Sequence, residues 1–193
     1  MMQFRSVGIG VAAAWMALLV ATEAARWAVH PIEQQLAVSR ALLLLFATGM
    51  YFSGSGDYGL RAPGRLPWIW MVPVSLALGA SVGVAGAIPG PWWLWVFIGF
   101  ADEVFVRGWL QAALAPVRQK LGEWSLPVLA SGLFAGSMYL TLMKQRAPGP
   151  AIVALVVGST ALGLAAARLR EQSGSLAGPV AMHVLFGLGV ALA

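Results

Sequence analysis

Residues 101–110 read Ala101-Asp102-Glu103-Val104-Phe105-Val106-Arg107-Gly108-Trp109-Leu110. This stretch brings two adjacent carboxylates and an arginine into an apolar run, 92–115, that has the composition of a membrane helix. A charge at bilayer depth costs roughly 3 kcal/mol on insertion scales, so an ionisable residue there marks a functional site by default. The stretch therefore predicts a membrane fold and also the position of its site.

The composition of the whole chain agrees with a membrane protein. Of its 193 residues, 60% are hydrophobic and only 10% are charged, whereas a soluble domain carries about a quarter charged residues. Strands of a membrane barrel would alternate apolar and polar residues, but these segments are apolar on all sides, which favours helices. We therefore predict an all-α fold, a polytopic transmembrane bundle of about seven helices that forms a single domain over 1–193.

The apolar segments and their punctuation predict where the helices lie. Glycine and proline mark the breaks between them, and the first helix is expected to stay uncleaved because Glu23 interrupts a possible signal-peptide site. Small residues four apart predict close helix packing at Gly79 and Gly83, Gly132 and Gly136, and Ser159 and Gly163. The seven predicted segments are 7–25, 36–52, 68–88, 92–114, 126–143, 151–167 and 176–192.

The distribution of basic residues predicts the orientation. With the N-terminus inside, seven basic residues fall on the inner side, namely Arg5, Arg61, Arg65, Arg118, Lys120, Arg168 and Arg170. Four fall on the outer side, namely Arg26, Arg40, Lys144 and Arg146. Cytoplasmic loops carry the excess of Lys and Arg, so we predict a cytoplasmic N-terminus. The expected location is a bacterial cytoplasmic membrane.

The same composition limits the partners and the chemistry. The basic residues are scattered in loops, so the net charge of +5 does not indicate nucleic acid, and the expected partner is the lipid bilayer. The chain has no cysteine, which excludes thiolate nucleophiles and cysteine metal sites. One intramembrane histidine beside two adjacent carboxylates is a poor zinc site, so neither a metal nor a cofactor is expected.

Helical spacing predicts which polar residues meet. Glu103 lies 11 residues into the fourth helix and His183 lies 7 residues into the seventh, so a rise of about 1.5 Å per residue puts both near mid-depth. Glu103 and Arg107 are four apart and share a face, while Asp102 is rotated by about 100°. We expect Arg107 to neutralise one carboxylate while the other faces a cavity and acts as general base toward water. His183 would bind that water or a developing oxyanion.

Three stretches resemble the motifs of the CPBP family, the CAAX-protease and bacteriocin-processing membrane endopeptidases. The first motif, two glutamates followed after three residues by arginine and glycine, is resembled by 102–108. The region from about 57 to the C-terminus carries the resemblance, including a preceding loop, 58–61. The other stretches are Leu133-Phe134-Ala135-Gly136-Ser137-Met138, where phenylalanine and a histidine four later are expected, and Pro179-Val180-Ala181-Met182-His183 with Gly187, where histidine and a later asparagine are expected.

The resemblance implies roles for these positions. In the family, the first glutamate and the second-motif histidine activate water, the third-motif histidine and asparagine stabilise the oxyanion, and the second glutamate and the arginine support the site. The matching positions are Glu103, Arg107, Phe134 and His183. The chain departs from the family pattern at Asp102, which is one methylene shorter than glutamate, at Met138 in place of histidine, and at Gly187 in place of asparagine.

Three functions follow from these residues. The first is a CPBP-type intramembrane endopeptidase that acts on a membrane-associated peptide or protein, with Asp102 or Glu103 as base and His183 as electrophile. The second is a catalytically impaired member that serves as a membrane scaffold or binding protein, in which the charges join helices and Met138 is ordinary packing. The third is a small proton or ion transporter that uses the buried carboxylates.

Overall fold

The structure, a computed structural model, describes residues 2–53, 57–62, 71–84, 90–117, 120–121, 124–140 and 149–193. Across these ranges the chain forms seven helices, which confirms the predicted all-α bundle. The predicted helical residues 68–70, 85–88 and 141–143 lie outside this description. The helices are α1 (Met2–Ala28), α2 (Ile32–Phe52), α3 (Met71–Val84), α4 (Trp92–Glu103, then Val104–Leu110 and Gln111–Leu114), α5 (Leu126–Ser137), α6 (Pro150–Ser173) and α7 (Ala177–Leu192).

Three of these helices are long and apolar enough to cross a membrane. They comprise residues Ile9–Ala28, Ile32–Phe52 and Ile152–Ser173, with mean hydropathies of 1.4, 1.4 and 1.9. A bilayer core of about 30 Å requires roughly 20 helical residues, which each of these segments supplies. Between α4 and α5, two short strands, β1 (Lys120–Leu121) and β2 (Trp124–Ser125), pair antiparallel.

Local sequence explains where several helices begin and end. Pro31 and Pro91 are extended residues directly before α2 and α4, and a proline there cannot continue a helix from upstream. Ser125 caps α5 by accepting a hydrogen bond from the Val128 N–H at 3.4 Å. Gly174 ends α6 with φ +67°, a left-handed conformation that glycine adopts without a Cβ clash.

The predicted small-residue pairs pack helices closely, as expected. Gly79 and Gly83 of α3 lie against the backbone of α7 at Phe186 and Val190, which makes α3 and α7 parallel neighbours. Packing of this kind brings backbones together without large side chains between them. Helices α5 and α6 are antiparallel neighbours, since Gly132 of α5 faces Leu164 of α6 and Gly136 of α5 faces Thr160 of α6.

Helix α1 belongs to the core. Its residues Ala14 and Leu18 are fully buried. The ring of Trp15 meets that of Phe134 edge to face, with centroids 5.5 Å apart, in an arrangement that aromatic pairs favour. The apolar cluster that surrounds this contact includes Phe105 of α4 and therefore lies directly beside the charged stretch.

Candidate active site

The regular part of α4 ends at Glu103, and a π-helical stretch follows over Val104–Leu110. A π-helix has wider turns than an α-helix and occurs frequently at functional sites. Asp102 and Glu103 lie directly before this stretch and Arg107 lies inside it, and all three side chains are buried. The predicted helix boundaries, 92–114, agree with the structure, but the sequence does not predict this change of helical geometry.

Glu103 is the meeting point of two helices. Its Oε1 accepts a hydrogen bond from Arg107 Nη1 at 2.9 Å and lies 2.9 Å from Nδ1 of His183 on α7. Arg107 also donates from Nη2 to the backbone oxygen of Gly163 on α6, at 2.7 Å. The predicted Glu103–Arg107 pair and its predicted proximity to His183 are both observed, and a third helix is tied to the same arginine.

Asp102 forms an ion pair with Arg40 of α2. The prediction that Arg40 lies on the outer side, among the basic residues that set the orientation, is wrong because Arg40 lies within α2 and is 1% exposed. Its Nε donates to Asp102 Oδ1 at 3.1 Å. Helix α2 begins at Ile32 rather than at 36, so Arg40 lies about 12 Å along the helix, near mid-depth. Arg40 already falls inside the predicted segment 36–52, so its position within that apolar run is the signal that could have identified it.

Tyr139 completes the cluster. Its hydroxyl lies 3.4 Å from Asp102 Oδ2 and 3.4 Å from His183 Nε2. Both oxygens of Asp102 are therefore engaged, which differs from the expectation that this carboxylate faces a cavity. Tyr139 follows the end of α5, in a 3₁₀ turn over 138–140. No spacing rule indicates this residue from the sequence, because the change from α- to 3₁₀-helix alters the direction of its side chain.

Met138 and Phe134 are packing residues. Met138 is fully buried and Phe134 is 2% exposed, and both belong to the apolar cluster around Phe105. Phe134 contacts the rings of Trp15 and Phe105. The two side chains therefore lie in one apolar cluster, at the place where the resemblance expects a histidine.

Gly187 lies where α4 and α7 touch backbone to backbone. A Cβ at Gly187 would be 3.0 Å from both the Cβ and the backbone oxygen of Trp95, and a Cβ at Gly99 would be 3.1 Å from the backbone carbon of His183. Such distances leave little space for a larger side chain. The close contact explains the glycine at 187, and it also brings His183 within reach of Glu103.

The cluster is balanced in charge and has one free acceptor. Arg40 and Arg107 offset Asp102 and Glu103, so the formal charges of these four side chains sum to zero. Glu103 Oε2 is buried and has no hydrogen-bond partner among the described residues. Such an atom is costly to bury unless a water or ligand meets it. Among the residues that the structure describes, no group of three or more His, Cys, Asp or Glu side chains could hold a metal ion.

An apolar cleft is lined in part by residues that neighbour the cluster residues along α4 and α7. It has a volume of about 480 Å³, and its lining includes Phe100 and Val104 of α4 and Val180 of α7. Phe100 and Val180 each precede a cluster residue, Glu103 or His183, by three positions, which is about one helical turn. A second cavity, of about 320 Å³ and with a mixed polar and apolar lining, lies among Arg61, Gln111 and Arg170. The linings of these two cavities do not include Asp102, Glu103 or His183.

The fold and the cluster define a class: an integral membrane helical bundle with a buried acid–histidine–arginine centre. A family model described as type II CAAX prenyl endopeptidase Rce1-like matches residues 84–189. Because the match covers more than half of the 193 residues, the chain belongs to this family, and the predicted resemblance is confirmed. No curated protein sequence and no solved structure matches the chain.

Proposed function

We propose that the protein is an intramembrane endopeptidase that cleaves a membrane-associated peptide or protein, with Glu103 as the general base. The observation that carries the proposal is the asymmetry of Glu103. Its Oε1 is held by Arg107 and His183, each at 2.9 Å, while Oε2 is buried without a described partner. A fixed carboxylate with one free oxygen is suited to take a proton from water.

Asp102 and Glu103 have different hydrogen-bond partners, which suits them to different roles. Asp102 uses both oxygens, on Arg40 at 3.1 Å and on Tyr139 at 3.4 Å, so it is the poorer acceptor for a water. Its charge neutralises Arg40 and so balances the cluster. Between the two bases that the sequence predicts, Asp102 or Glu103, the geometry favours Glu103.

The reaction would proceed by addition of water to a peptide carbonyl. Glu103 Oε2 takes a proton from water, and the oxygen of that water attacks the carbonyl carbon. The protonated Glu103 then gives this proton to the leaving amine as the C–N bond breaks. Arg107 and His183 hold the carboxylate in position throughout.

The apolar cleft supports a membrane-associated substrate. Its lining is predominantly apolar, and three of its residues, Phe100, Val104 and Val180, lie within about one helical turn of Glu103 or His183 along their helices. An extended apolar segment or an attached lipid chain could occupy it from the bilayer. Because outer-membrane proteins are barrels, the all-helical fold also supports the expected location in a bacterial cytoplasmic membrane.

Cleavage by the purified protein tests this proposal. The protein in lipid nanodiscs would be incubated with membrane-anchored peptides, including prenylated peptides that end in a CAAX sequence, and the products read by mass spectrometry. Glu103→Gln keeps the size of the side chain but removes the base, so we expect a loss of about 10²–10⁴-fold in cleavage rate. Glu33→Gln, near the start of α2 and outside the cluster, is the matched control. Equal product from wild type and Glu103→Gln would refute the proposal.

A specific observation favours a scaffold or binding protein as the second candidate. Both carboxylates have arginine partners, and the close contact between Gly187 and Trp95 leaves little room for the asparagine that the family uses. In this case the cluster fastens α2, α4 and α7 together. A partner that copurifies with wild type and with Glu103→Gln alike, without cleavage by either, would support this candidate.

A further inference from the structure

The cavity among Arg61, Gln111 and Arg170 opens at the end of the bundle where α2, α4 and α6 end and α5 begins. Helices α2 and α6 contain apolar segments of 21 and 22 residues, which is the length that a bilayer core requires. Their ends therefore reach the level of the lipid headgroups. The distribution of basic residues predicts that this level belongs to the cytoplasmic leaflet.

The described lining of this cavity carries both signs of charge and no net charge. Arg61 and Arg170 are offset by Asp57 and Glu171. Asp57 Oδ2 lies 3.3 Å from Arg61 Nη2, and Arg170 Nη2 donates to the backbone oxygen of Asp57 at 2.7 Å. Complementary charges select a partner, so this lining favours a zwitterion over an ion of a single sign.

Gln111 gives the cavity a buried acceptor. It is 8% exposed, and its Nε2 donates to the backbone oxygen of Ala167 at 3.0 Å. Its Oε1 is buried and has no hydrogen-bond partner among the described residues. A buried acceptor of this kind is costly, and an N–H group of a ligand that reaches it would remove the cost.

The unpaired acceptor distinguishes between two kinds of zwitterion. A primary ammonium group, like that of lysine, carries three N–H donors. A quaternary ammonium group has no N–H and is typically held by aromatic rings, and the described lining contains no aromatic residue. The cavity therefore favours a primary ammonium group.

We propose that this cavity binds the phosphoethanolamine headgroup of a phospholipid in the cytoplasmic leaflet. The ammonium group donates to Gln111 Oε1 and pairs with Asp57, while the phosphate accepts from the guanidinium of Arg61, whose planar fork suits phosphate oxygens. The side chains of Asp57 and Arg61 are 63% and 62% exposed, and exposed pairs are weak. The two charges of the headgroup can therefore insert into this pair, so that each partner keeps an opposite charge.

The surroundings of Arg61 favour a lipid over a free zwitterion of the same headgroup chemistry. Arg61 lines this cavity and also the apolar cleft between α4 and α7. A headgroup bound at Arg61 thus has apolar surface next to it for the beginning of an acyl chain. The site is separate from Glu103, so the proposal does not depend on cleavage.

Lipid binding to the purified protein tests the proposal. Native mass spectrometry in detergent would compare phosphatidylethanolamine, phosphatidylcholine and phosphatidylglycerol with identical acyl chains. We expect phosphatidylethanolamine to bind about tenfold more tightly than phosphatidylcholine, which cannot donate to Gln111, and more tightly than the anionic phosphatidylglycerol. Soluble glycerophosphoethanolamine should compete only at much higher concentration. If it bound as tightly as the lipid, the site would belong to a soluble zwitterion and the lipid proposal would be overturned.

Two variants locate the binding. Arg61→Gln should lower the affinity for phosphatidylethanolamine to that for phosphatidylcholine. Arg26→Gln is the matched control, because Arg26 forms a similar exposed pair with Glu23, at 3.2 Å, and should change nothing. Gln111→Leu should also remove the preference, and Arg61→Gln decides the matter if the buried substitution does not fold. Equal binding of the three lipids, or an unchanged preference in Arg61→Gln, would overturn the proposal.

Discussion

At the scale of single residues, the most informative side chain is Arg40. It is 1% exposed and bonded to Asp102 at 3.1 Å. A buried ion pair is not in itself a stabilising feature, but the removal of one partner leaves a lone buried charge. The consequence is an asymmetry, in which single substitutions at this pair should be more harmful than the double substitution.

We predict that Arg40→Met lowers the free energy of unfolding by about 3–5 kcal/mol, because Asp102 then has no positive partner. Arg40→Met combined with Asp102→Asn should recover part of this loss, since no unpaired charge remains. Unfolding in mixed detergent micelles, followed by circular dichroism, measures both. Arg26→Met is the control, because the Arg26–Glu23 pair is exposed and such pairs contribute about 1 kcal/mol or less. If Arg40→Met and Arg26→Met lowered the free energy of unfolding equally, the special cost of breaking the buried pair would be disproved.

At the scale of helices, close backbone contacts determine which side chains the site can hold. Helices α4 and α7 touch at Gly99 and Gly187, and α5 and α6 touch at Gly132 and Gly136. These contacts set the distance between helices, and therefore the reach between Glu103 and His183. The departure from the family pattern at Gly187 thus has a packing reason in this chain.

We predict that Gly187→Asn destabilises the protein by about 1–3 kcal/mol, because its Cβ already lies 3.0 Å from Trp95 and α4 and α7 must separate. The same substitution together with Met138→His should not increase cleavage, since separation of the helices also moves His183 from Glu103. Gly158→Ala is the control, as its Cβ would meet Phe186 at an ordinary 3.6 Å. A gain of cleavage at unchanged stability would contradict this account.

A second prediction at the scale of helices compares glycine-to-alanine substitutions at two positions, Gly136 and Gly49. Gly136→Ala places a methyl group against Thr160, because the new Cβ would lie 2.8 Å from the Thr160 Cα. We therefore expect the free energy of unfolding to fall by about 1–3 kcal/mol. Gly49→Ala in α2 meets no atom within 4 Å, and alanine is the better helix former by roughly 0.5–1 kcal/mol. The unfolding temperature should therefore fall for Gly136→Ala and rise for Gly49→Ala. A similar shift in both would show that α5 and α6 can separate without cost.

At the scale of the whole molecule, contacts between distant segments agree with an alternating path through the membrane. The segment 57–62 follows α2 and touches the turn after α6: Leu176 N–H donates to the Gly59 oxygen at 2.9 Å and Arg61 Nε to the Gly174 oxygen at 2.9 Å. Four helices lie between these segments, and an even number of crossings returns the chain to the same side. With Arg40 inside the bundle, the sequence still assigns Arg26, Lys144 and Arg146 to the outer side, of which Lys144 and Arg146 lie outside the described residues. The bias of basic residues in the sequence therefore still predicts a cytoplasmic N-terminus.

The orientation can be measured directly because the chain has no cysteine. We predict that Ser53→Cys, just after α2, reacts with a membrane-impermeant maleimide only when the cytoplasmic side is accessible. Gln34→Cys, at the other end of α2, should react from the outer side of intact cells. Both positions are exposed, so access to the reagent depends on the side of the membrane. The reverse pattern would place the N-terminus outside.

Much of the fold follows from local sequence, which explains why it could be predicted. The boundaries of α4 and α7 depend on apolar runs and on nearby glycine and proline. The pairing of Glu103 with Arg107 follows from a spacing of four residues on one helix. The common depth of Glu103 and His183 follows from helical rise alone.

The sequence by itself determined an all-helical membrane bundle with an acidic, arginine-bearing centre on α4, because composition and periodicity are properties of single segments. Only the tertiary structure decided that Arg40 neutralises Asp102, that Tyr139 joins Asp102 to His183, and that Glu103 keeps one oxygen free. These contacts cross between helices, and they depend on helix rotation, on the π-helical stretch after Glu103 and on the 3₁₀ turn after Ser137. Such features are set by packing against neighbouring helices and not by the residues of one helix.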